Sequence, residues 1–342
     1  MADGRRCARV TAFCQGEPTK AVEFTTLPAL APPGPGQAAV RLVYAPINPS
    51  DINVLEGTYL HLPESLPAVV GGEGAGVVTA VGEGVEGIAV GDRVFSKRGW
   101  ASKTWTDAAV EDAASLTVLP PTVPLRVAAM LQSNPPTAYA MLRYTIPQPE
   151  GAWVIQNLSN SGVGIAVIQV AKRLGMRTVN IVRREGLAEQ LTALGADRVL
   201  VGLCGDFPAP HTALSAACAE QVFDDGDDVV AAAAQVKEAT GGAKIGLALN
   251  GTCGECSKLL LKCLATGGTM LTYTARLLAF VRASRVDQEV DVRAGNRYGA
   301  MSRAPVQVGG GQLIFKDLRL QGFHLGIWNK QHGTPERLEE MW

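Results

Sequence analysis

Trp153-Val154-Ile155-Gln156 is a short apolar run that reads as a buried strand. It breaks into Asn157-Leu158-Ser159-Asn160-Ser161-Gly162-Val163-Gly164, a cluster of small and polar residues that reads as a tight turn. Ile165 to Leu174 then recurs at helical spacing, Gly175 closes that helix, and Thr178-Val179-Asn180-Ile181-Val182 resumes as a second strand. Strand, turn, helix and strand together make a βαβ unit of about thirty residues, the length such a unit needs. Its turn can present backbone N–H groups and a helix N-terminus to a pyrophosphate.

The fingerprint is altered. A dinucleotide turn of the G-x-G-x-x-G type would place glycine where this chain has Ser159 and Ser161, and only Gly164 survives. Serine is small enough for close backbone approach, yet it does not relax φ as glycine does. The plainer reading is an ordinary βα turn in a parallel sheet; the order of elements around it favours a nucleotide site. An NAD site places Asp or Glu at the end of the second strand to bind the ribose hydroxyls. Here Arg183 and Arg184 come first, and Glu185 follows them. Guanidinium forks suit a 2′-phosphate, so NADP(H) is the expected cofactor.

The remainder of the chain bounds these readings. Its 342 residues suggest two domains. With 47% hydrophobic and 18% charged residues it has an ordinary globular composition, and a net charge of −1 argues against nucleic acid or a membrane surface as a partner. No apolar run approaches the roughly 18 residues of a membrane span. Seven scattered cysteines argue against a disulfide framework and for a reducing compartment. Met1 to Ala8 is too short for a transit peptide, so a presequence is either absent or not included.

From Ala8 to about Leu131 the chain is β-rich and punctuated by Gly and Pro. Val40–Tyr44 reads as a strand feeding the loop Ala45–Asp51, and Val77–Val81 and Val94-Phe95 read as further strands. Gly71-Gly72-Glu73-Gly74-Ala75-Gly76 is tempting as a phosphate loop, but no lysine or helix follows it, and it reads as a structural feature of the β-rich half. Beyond Leu131 the period changes to βα units, with later strands expected at Arg198–Val201, Ile245–Asn250, Gly268–Tyr273 and Leu318–Leu325. With the first two this gives about six, the number in a complete dinucleotide-binding sheet. Cys253-Gly254-Glu255-Cys256 is a lone C-x-x-C at a βα turn, and without a second pair it reads as turn chemistry.

This order resembles the medium-chain dehydrogenase/reductase superfamily. It runs from a β-rich domain through Asn134-Pro135-Pro136-Thr137-Ala138-Tyr139 to the nucleotide unit. Within that superfamily Asn48-Pro49-Ser50-Asp51-Ile52-Asn53, Gly57-Thr58-Tyr59, Val154–Gln169 and Leu313-Ile314-Phe315-Lys316-Asp317-Leu318 look like the mitochondrial trans-2-enoyl-thioester reductases of fatty-acid synthesis. The resemblance implies an α/β fold with a GroES-like β-rich substrate domain over residues 1–131, completed by 327–342. A doubly wound Rossmann cofactor domain would cover 132–326. Two departures stand out. About 24 residues, Thr274–Arg297, intervene before Tyr298-Gly299-Ala300-Met301; they read as a basic loop toward the phosphates of coenzyme A or, preferably, as a mis-spliced or lineage-specific surface insert. The chain also stops at Trp342, where the family has a further helical segment, so the expected substrate domain is incomplete.

Where zinc members of the superfamily carry a ligand cysteine this chain has Asn48, and Gly72 stands where they have a histidine before Glu73. No cysteine lies between Cys14 and Cys204 to build a structural zinc site, so no metal is expected. Conjugate reduction of an enoyl thioester needs no metal. Tyr59 matches the tyrosine the family uses to protonate the α-carbon, and a phenol stays a proton donor at pH 7. Asn48 and nearby backbone N–H groups would hold the developing oxyanion. By the same resemblance Asn134, Asn160, Ser161, Gly162, Val163, Arg183, Arg184 and Glu185 line the cofactor. Tyr298, Gly299, Ala300, Met301, Phe323, His324, Leu325 and Gly326 complete that site. His324 replaces a large aromatic and is expected to reshape the acyl pocket or the nicotinamide contact, and Trp328 reads as pocket wall or core. The substrate implied is an enoyl-CoA or enoyl-acyl-carrier protein, the assembly a homodimer, and the compartment mitochondrial, with the cytoplasm as alternative. A zinc-free quinone or enone reductase, or a non-catalytic binding protein on this fold, remains the competing reading.

Overall fold

The computed structural model describes residues 4–59, 61–203, 227–273, 306, 308 and 310–341. The chain divides into two compact units, Met1–Ser133 and Asn134–Trp342. The sequence expectations at Thr274–Arg297 and at Tyr298, Gly299, Ala300 and Met301 fall outside the described residues.

The first unit contains strands β1 (Arg5–Val10), β2 (Val22–Leu27), β3 (Gln37–Tyr44), β4 (Ala68–Val69), β5 (Ala75–Val81), β6 (Arg93–Ser96), β7 (Ala108–Asp112) and β8 (Leu116–Val118). Its two short helices are α1 (Pro49–Leu55) and α2 (Leu125–Ala128). The strands form two antiparallel sheets, ordered β2-β1-β4 and β7-β3-β5-β6-β8. Alternate residues of the larger sheet, Ala38 and Val40 with Val78, Val94 and Leu116, make one small core. Val10, Ala21, Val54, Leu55 and Val70 make another around α1.

The segment Asn48–Asp51, read as loop, is the start of that helix. Proline at the first helical position lacks only an N–H that would have no intrahelical partner, and the Asn48 N–H donates to Asp51 Oδ2 at 2.6 Å. The glycine stretch at 71–76 is packed backbone, as its sequence context suggests: a Cβ on Gly71, whose φ is +107°, would stand 2.5 Å from Trp105 Cδ1 and 2.7 Å from Thr104 Oγ1.

The second unit carries strands β9 (Trp153–Gln156), β10 (Arg177–Val182), β11 (Arg198–Val201), β12 (Ile245–Asn250), β13 (Leu264–Thr272) and β14 (Arg319–Gly322). They form one parallel sheet in the order β11-β10-β9-β12-β13-β14, the doubly wound arrangement. Its helices are α3 (Asn134–Tyr139), α4 (Gly162–Arg173), α5 (Ala188–Ala193), α6 (Asp227–Ala239), α7 (Glu255–Cys263), α8 (Gly310–Lys316), α9 (Leu325–His332) and α10 (Pro335–Met341). Strand residues alternate between two cores. Ile155, Val179, Ile181, Ala248 and Met270 pack with residues of α6 and α7, whereas Val154, Leu247, Leu249 and Leu271 pack with residues of α3, α4, α9 and α10. Among the described residues no helix is long and apolar enough to cross a membrane.

The structure differs from the sequence reading at the C-terminal segment. Residues 327–341 pack into the second unit: Trp328 and Met341 are buried in its core, and Trp328 stacks on Tyr144 at 5.5 Å. The hydroxyls of Tyr139 and Tyr144 both donate to the Glu340 carboxylate, fastening α10. The physical reason is local. Burying a side chain the size of Met341 contributes about 1.5–3 kcal/mol, and the apolar face that accepts it belongs to α3 and the sheet.

A Cβ on Gly164 would lie 2.6 Å from both the Leu158 and Ser159 carbonyl oxygens, which are backbone atoms that cannot swing away. Gly164→Ala is therefore expected to destabilise the protein by about 1–3 kcal/mol. Gly186→Ala, where nothing lies within 4 Å, should stay within about 0.5 kcal/mol. Urea unfolding midpoints of the two variants check this.

Candidate functional site

The turn between β9 and α4 shows how serine serves in place of glycine. The left-handed residue is Leu158, at φ +54°, and not either serine. Ser159 is fully buried, and its hydroxyl lies 3.2 Å from the carbonyl oxygens of Gln156 in β9 and Ile181 in β10, tying the turn to both strands. Ser161 caps α4, its oxygen accepting the Gly164 N–H at 3.0 Å. Beneath them Gln156 Nε2 donates to the Gly164 carbonyl at 3.0 Å and to Asn180 Oδ1 at 2.7 Å. The N-terminus of α4 is thereby fixed at the carboxyl end of the sheet, with its positive dipole end outward.

Asn134 belongs to the same cradle. A Cβ on Gly162 would meet its Nδ2 at 2.7 Å, so the α3 carboxamide lies directly against the first turn of α4 and would have to shift for any larger residue there. Arg183, Arg184 and Glu185 are exposed directly after β10, the neighbour of β9, and so share this edge of the sheet with Asn160–Val163. Tyr273, at the end of β13, turns its ring onto Gly251: a Cβ there would be 2.6 Å from Tyr273 Oη. That oxygen is buried toward Ser161, and among the described residues no hydrogen bond of full geometry reaches it. An N-terminal helix turn, two guanidinium groups and an orphaned phenol at one sheet edge fit a dinucleotide carrying an extra phosphate.

Phe323, His324, Leu325 and Gly326 lie elsewhere on that edge. They follow β14, three strands from β9 and so about 14 Å away. Phe323 is buried in the core, with its N–H donating to the Thr272 carbonyl. His324 is the N-cap residue of α9. Phe323 and His324, with Trp328 and Tyr144, line a cavity of about 350 Å³.

In the first unit Tyr59 follows α1 and Gly57, whose φ of +70° turns the chain out of the helix. Its ring packs on the cluster of Val10, Val54, Leu55 and Val70 and meets His61 edge-on at 6.1 Å. Asn48, at the N-cap of α1, donates from Nδ2 to Glu73 Oε2 at 2.6 Å. Glu73 and Asp51 are both almost fully buried. Burial pushes Glu73 up to about 8; the Asn48 hydrogen bond opposes this, and the Asp51 charge adds to it. Burial likewise raises Asp51 to about 6, against the backbone N–H groups of Asn48 and Gly72. Neither carboxyl stood out in the sequence as a working group; the signal available was a Glu inside a glycine run too tightly packed to leave its side chain in water.

Comparison with known proteins follows this geometry. Residues 34–115 match the alcohol dehydrogenase GroES-like domain. The chain is 38% identical to the mitochondrial enoyl-[acyl-carrier-protein] reductase of Homo sapiens, over 98% of this chain and 77% of that protein. A Caenorhabditis elegans enoyl-[acyl-carrier-protein] reductase is 34% identical over 95% and 79%. The chain belongs to the mitochondrial enoyl-[acyl-carrier-protein] reductase family. Among solved structures, the mitochondrial 2-enoyl thioester reductase heterodimer of Candida tropicalis superposes with a TM-score of 0.73 at 23% identity, covering 98% of this chain and 87% of that one. Escherichia coli quinone oxidoreductase complexed with NADPH gives 0.69 at 22%, covering 98% and 85%. At these identities both share the fold, a GroES-like domain joined to a Rossmann-type domain, and the sequence relatives decide the family.

The carboxyl pair predicts a pH response for the family fold in this chain. A Glu73 pKa raised from 4.5 to about 8 means that the folded state keeps a proton which the unfolded state releases between those values. Its contribution is full below pH 4.5 and is lost as pH rises through 8. Glu73→Gln, a neutral mimic, should gain thermal stability relative to the parent as pH goes from 5 to 8.5, and little at pH 4.5. Melting temperatures of the pair across that range check the sign.

Proposed function

We propose that this chain reduces trans-2-enoyl thioesters, carried on coenzyme A or acyl-carrier protein, to acyl thioesters with NADPH as reductant. The observation that carries the reading is the α4 N-terminus lying beside two exposed guanidinium groups at the end of β10, in a chain whose relatives are enoyl-[acyl-carrier-protein] reductases. When bound, NADPH supplies the hydride that reaches the β-carbon of the enoyl group.

The chain's own residues do the rest. The N–H groups of Asn160–Val163 and the α4 dipole hold the pyrophosphate, with Asn134 steadying Gly162. Arg183 and Arg184 take the 2′-phosphate as forked donors. The Tyr59 hydroxyl, a proton donor at neutral pH, delivers a proton to the α-carbon. Asn48, held by Glu73, and neighbouring N–H groups stabilise charge on the thioester oxygen. Phe323–Gly326 supply further contacts, and His324 tunes the acyl or nicotinamide side. The relatives named as mitochondrial support a mitochondrial location and a place in fatty-acid synthesis, and a homodimer is the assembly proposed. The likeness to a quinone oxidoreductase keeps quinone or enone reduction as the second reading.

NADPH oxidation followed by absorbance, with trans-2-decenoyl-CoA and in parallel with NADH and a quinone, separates the readings. Thioester turnover with NADPH is the expected result; turnover of the quinone alone would establish the second reading. Tyr59→Phe should lower thioester turnover by about 10²-fold or more while leaving quinone reduction nearly unchanged. Arg183→Ala with Arg184→Ala should raise the KM for NADPH by about 10–100-fold and narrow the preference over NADH.

A further inference from the structure

β9 and β12 are neighbours at the centre of the sheet, and the chain leaves them in opposite directions, to β10 through α4 and to β13 through α7. A parallel sheet opens a crevice at its carboxyl edge at such a point. The floor of this crevice is built from carboxamides. Asn157, just after β9, donates from Nδ2 to Asn250 Oδ1 at 2.9 Å and to Thr252 Oγ1 at 2.8 Å, and its Oδ1 accepts the Gly251 N–H at 2.6 Å. Asn250, the last residue of β12, accepts the Cys253 N–H at 3.0 Å and donates to Ser257 Oγ in α7 and Thr272 Oγ1 in β13. Asn157, Asn250, Thr252, Ser257 and Thr272 are all buried.

Such a network is costly to bury unless every member is satisfied, and once satisfied it permits a single arrangement of the backbones it joins. Apolar side chains would fill the same volume without specifying that arrangement. We propose that Asn157 and Asn250 are positioning residues, setting the gap between the β9 and β12 turns and so the seat for the nicotinamide half of the cofactor. Asn157 immediately precedes Leu158, so the brace also fixes the one left-handed residue from which the Ser159–Val163 cradle is directed. The inference rests on the NADPH reading given above.

The test uses the full chain and two ligands, NADPH and adenosine 2′,5′-bisphosphate; the second carries the phosphate read by the β10 end but lacks the nicotinamide half. Asn157→Ala should raise the Kd for NADPH by about 10–100-fold while changing that for adenosine 2′,5′-bisphosphate less than about 3-fold. Thr252→Val, close to isosteric, should shift NADPH binding in the same direction by a smaller factor, and Thr252→Ser, which restores the hydroxyl, should behave as the parent. Equal losses for both ligands would reduce the brace to general stability, and unchanged NADPH binding in Asn157→Ala and Thr252→Val would also overturn it. Should Asn157→Ala fail to fold, the Thr252 pair decides by the same criteria. A parent protein that binds adenosine 2′,5′-bisphosphate and NADPH equally weakly fails at the cofactor reading itself, before any variant is compared.

Discussion

Two backbone segments touch where α4 begins, and the cofactor half of the molecule depends on that touch. The carbonyl oxygens of Leu158 and Ser159 occupy the space that a Cβ on Gly164 would need, 2.6 Å from where it would stand. This closeness lets Gln156, rooted in β9, reach the Gly164 carbonyl and Asn180 in β10 together. Strand, turn, helix and next strand thus share one polar pin. The helix dipole points where it does because the pin leaves α4 no other axis.

The first unit has its own constraint, of opposite character. Glu73 and Asp51 lie out of water with no cation paired to either among the described residues, a burial of charge that folding tolerates only by keeping protons. The Asn48 amide answers Glu73 with a neutral donor. The same step that brings Asn48 to the carboxyl also begins α1, because the Asn48 N–H is held by Asp51. Helix, carboxyl cluster and the approach to Tyr59 are one piece of local chemistry.

Much of this was legible beforehand. The strand at Arg198–Val201 and that at Ile245–Asn250 were read to the residue, since short apolar runs of strand length leave little freedom. Arg183 and Arg184 were placed at the end of the second strand by counting alone. The start of α1 was missed because Asn-Pro-Ser-Asp has turn composition, and only the tertiary packing of Val54 and Leu55 turns those same residues into a helix start. The assignment of the C-terminal segment followed the resemblance and lost to Trp328 and Met341, whose burial partners lie in α3 and the sheet. The carboxamide brace was invisible for a different reason. Asn157 and Asn250 stand 93 residues apart, and nothing in either local pattern announces the other.

That separation has a kinetic side. Polar links within each half of the sheet are short: 24 residues from Gln156 to Asn180, 19 from Thr178 to Asp197, and 22 from Asn250 to Thr272. The link at the centre closes a loop roughly four times longer, and loop closure must be completed before its contacts return any stability. These short links join β9 to β10 and β12 to β13, so closing the centre between β9 and β12 carries the larger loop-closure cost. The crevice floor is then the seam between the two halves of the sheet, the place where their most distant stretches of chain are joined.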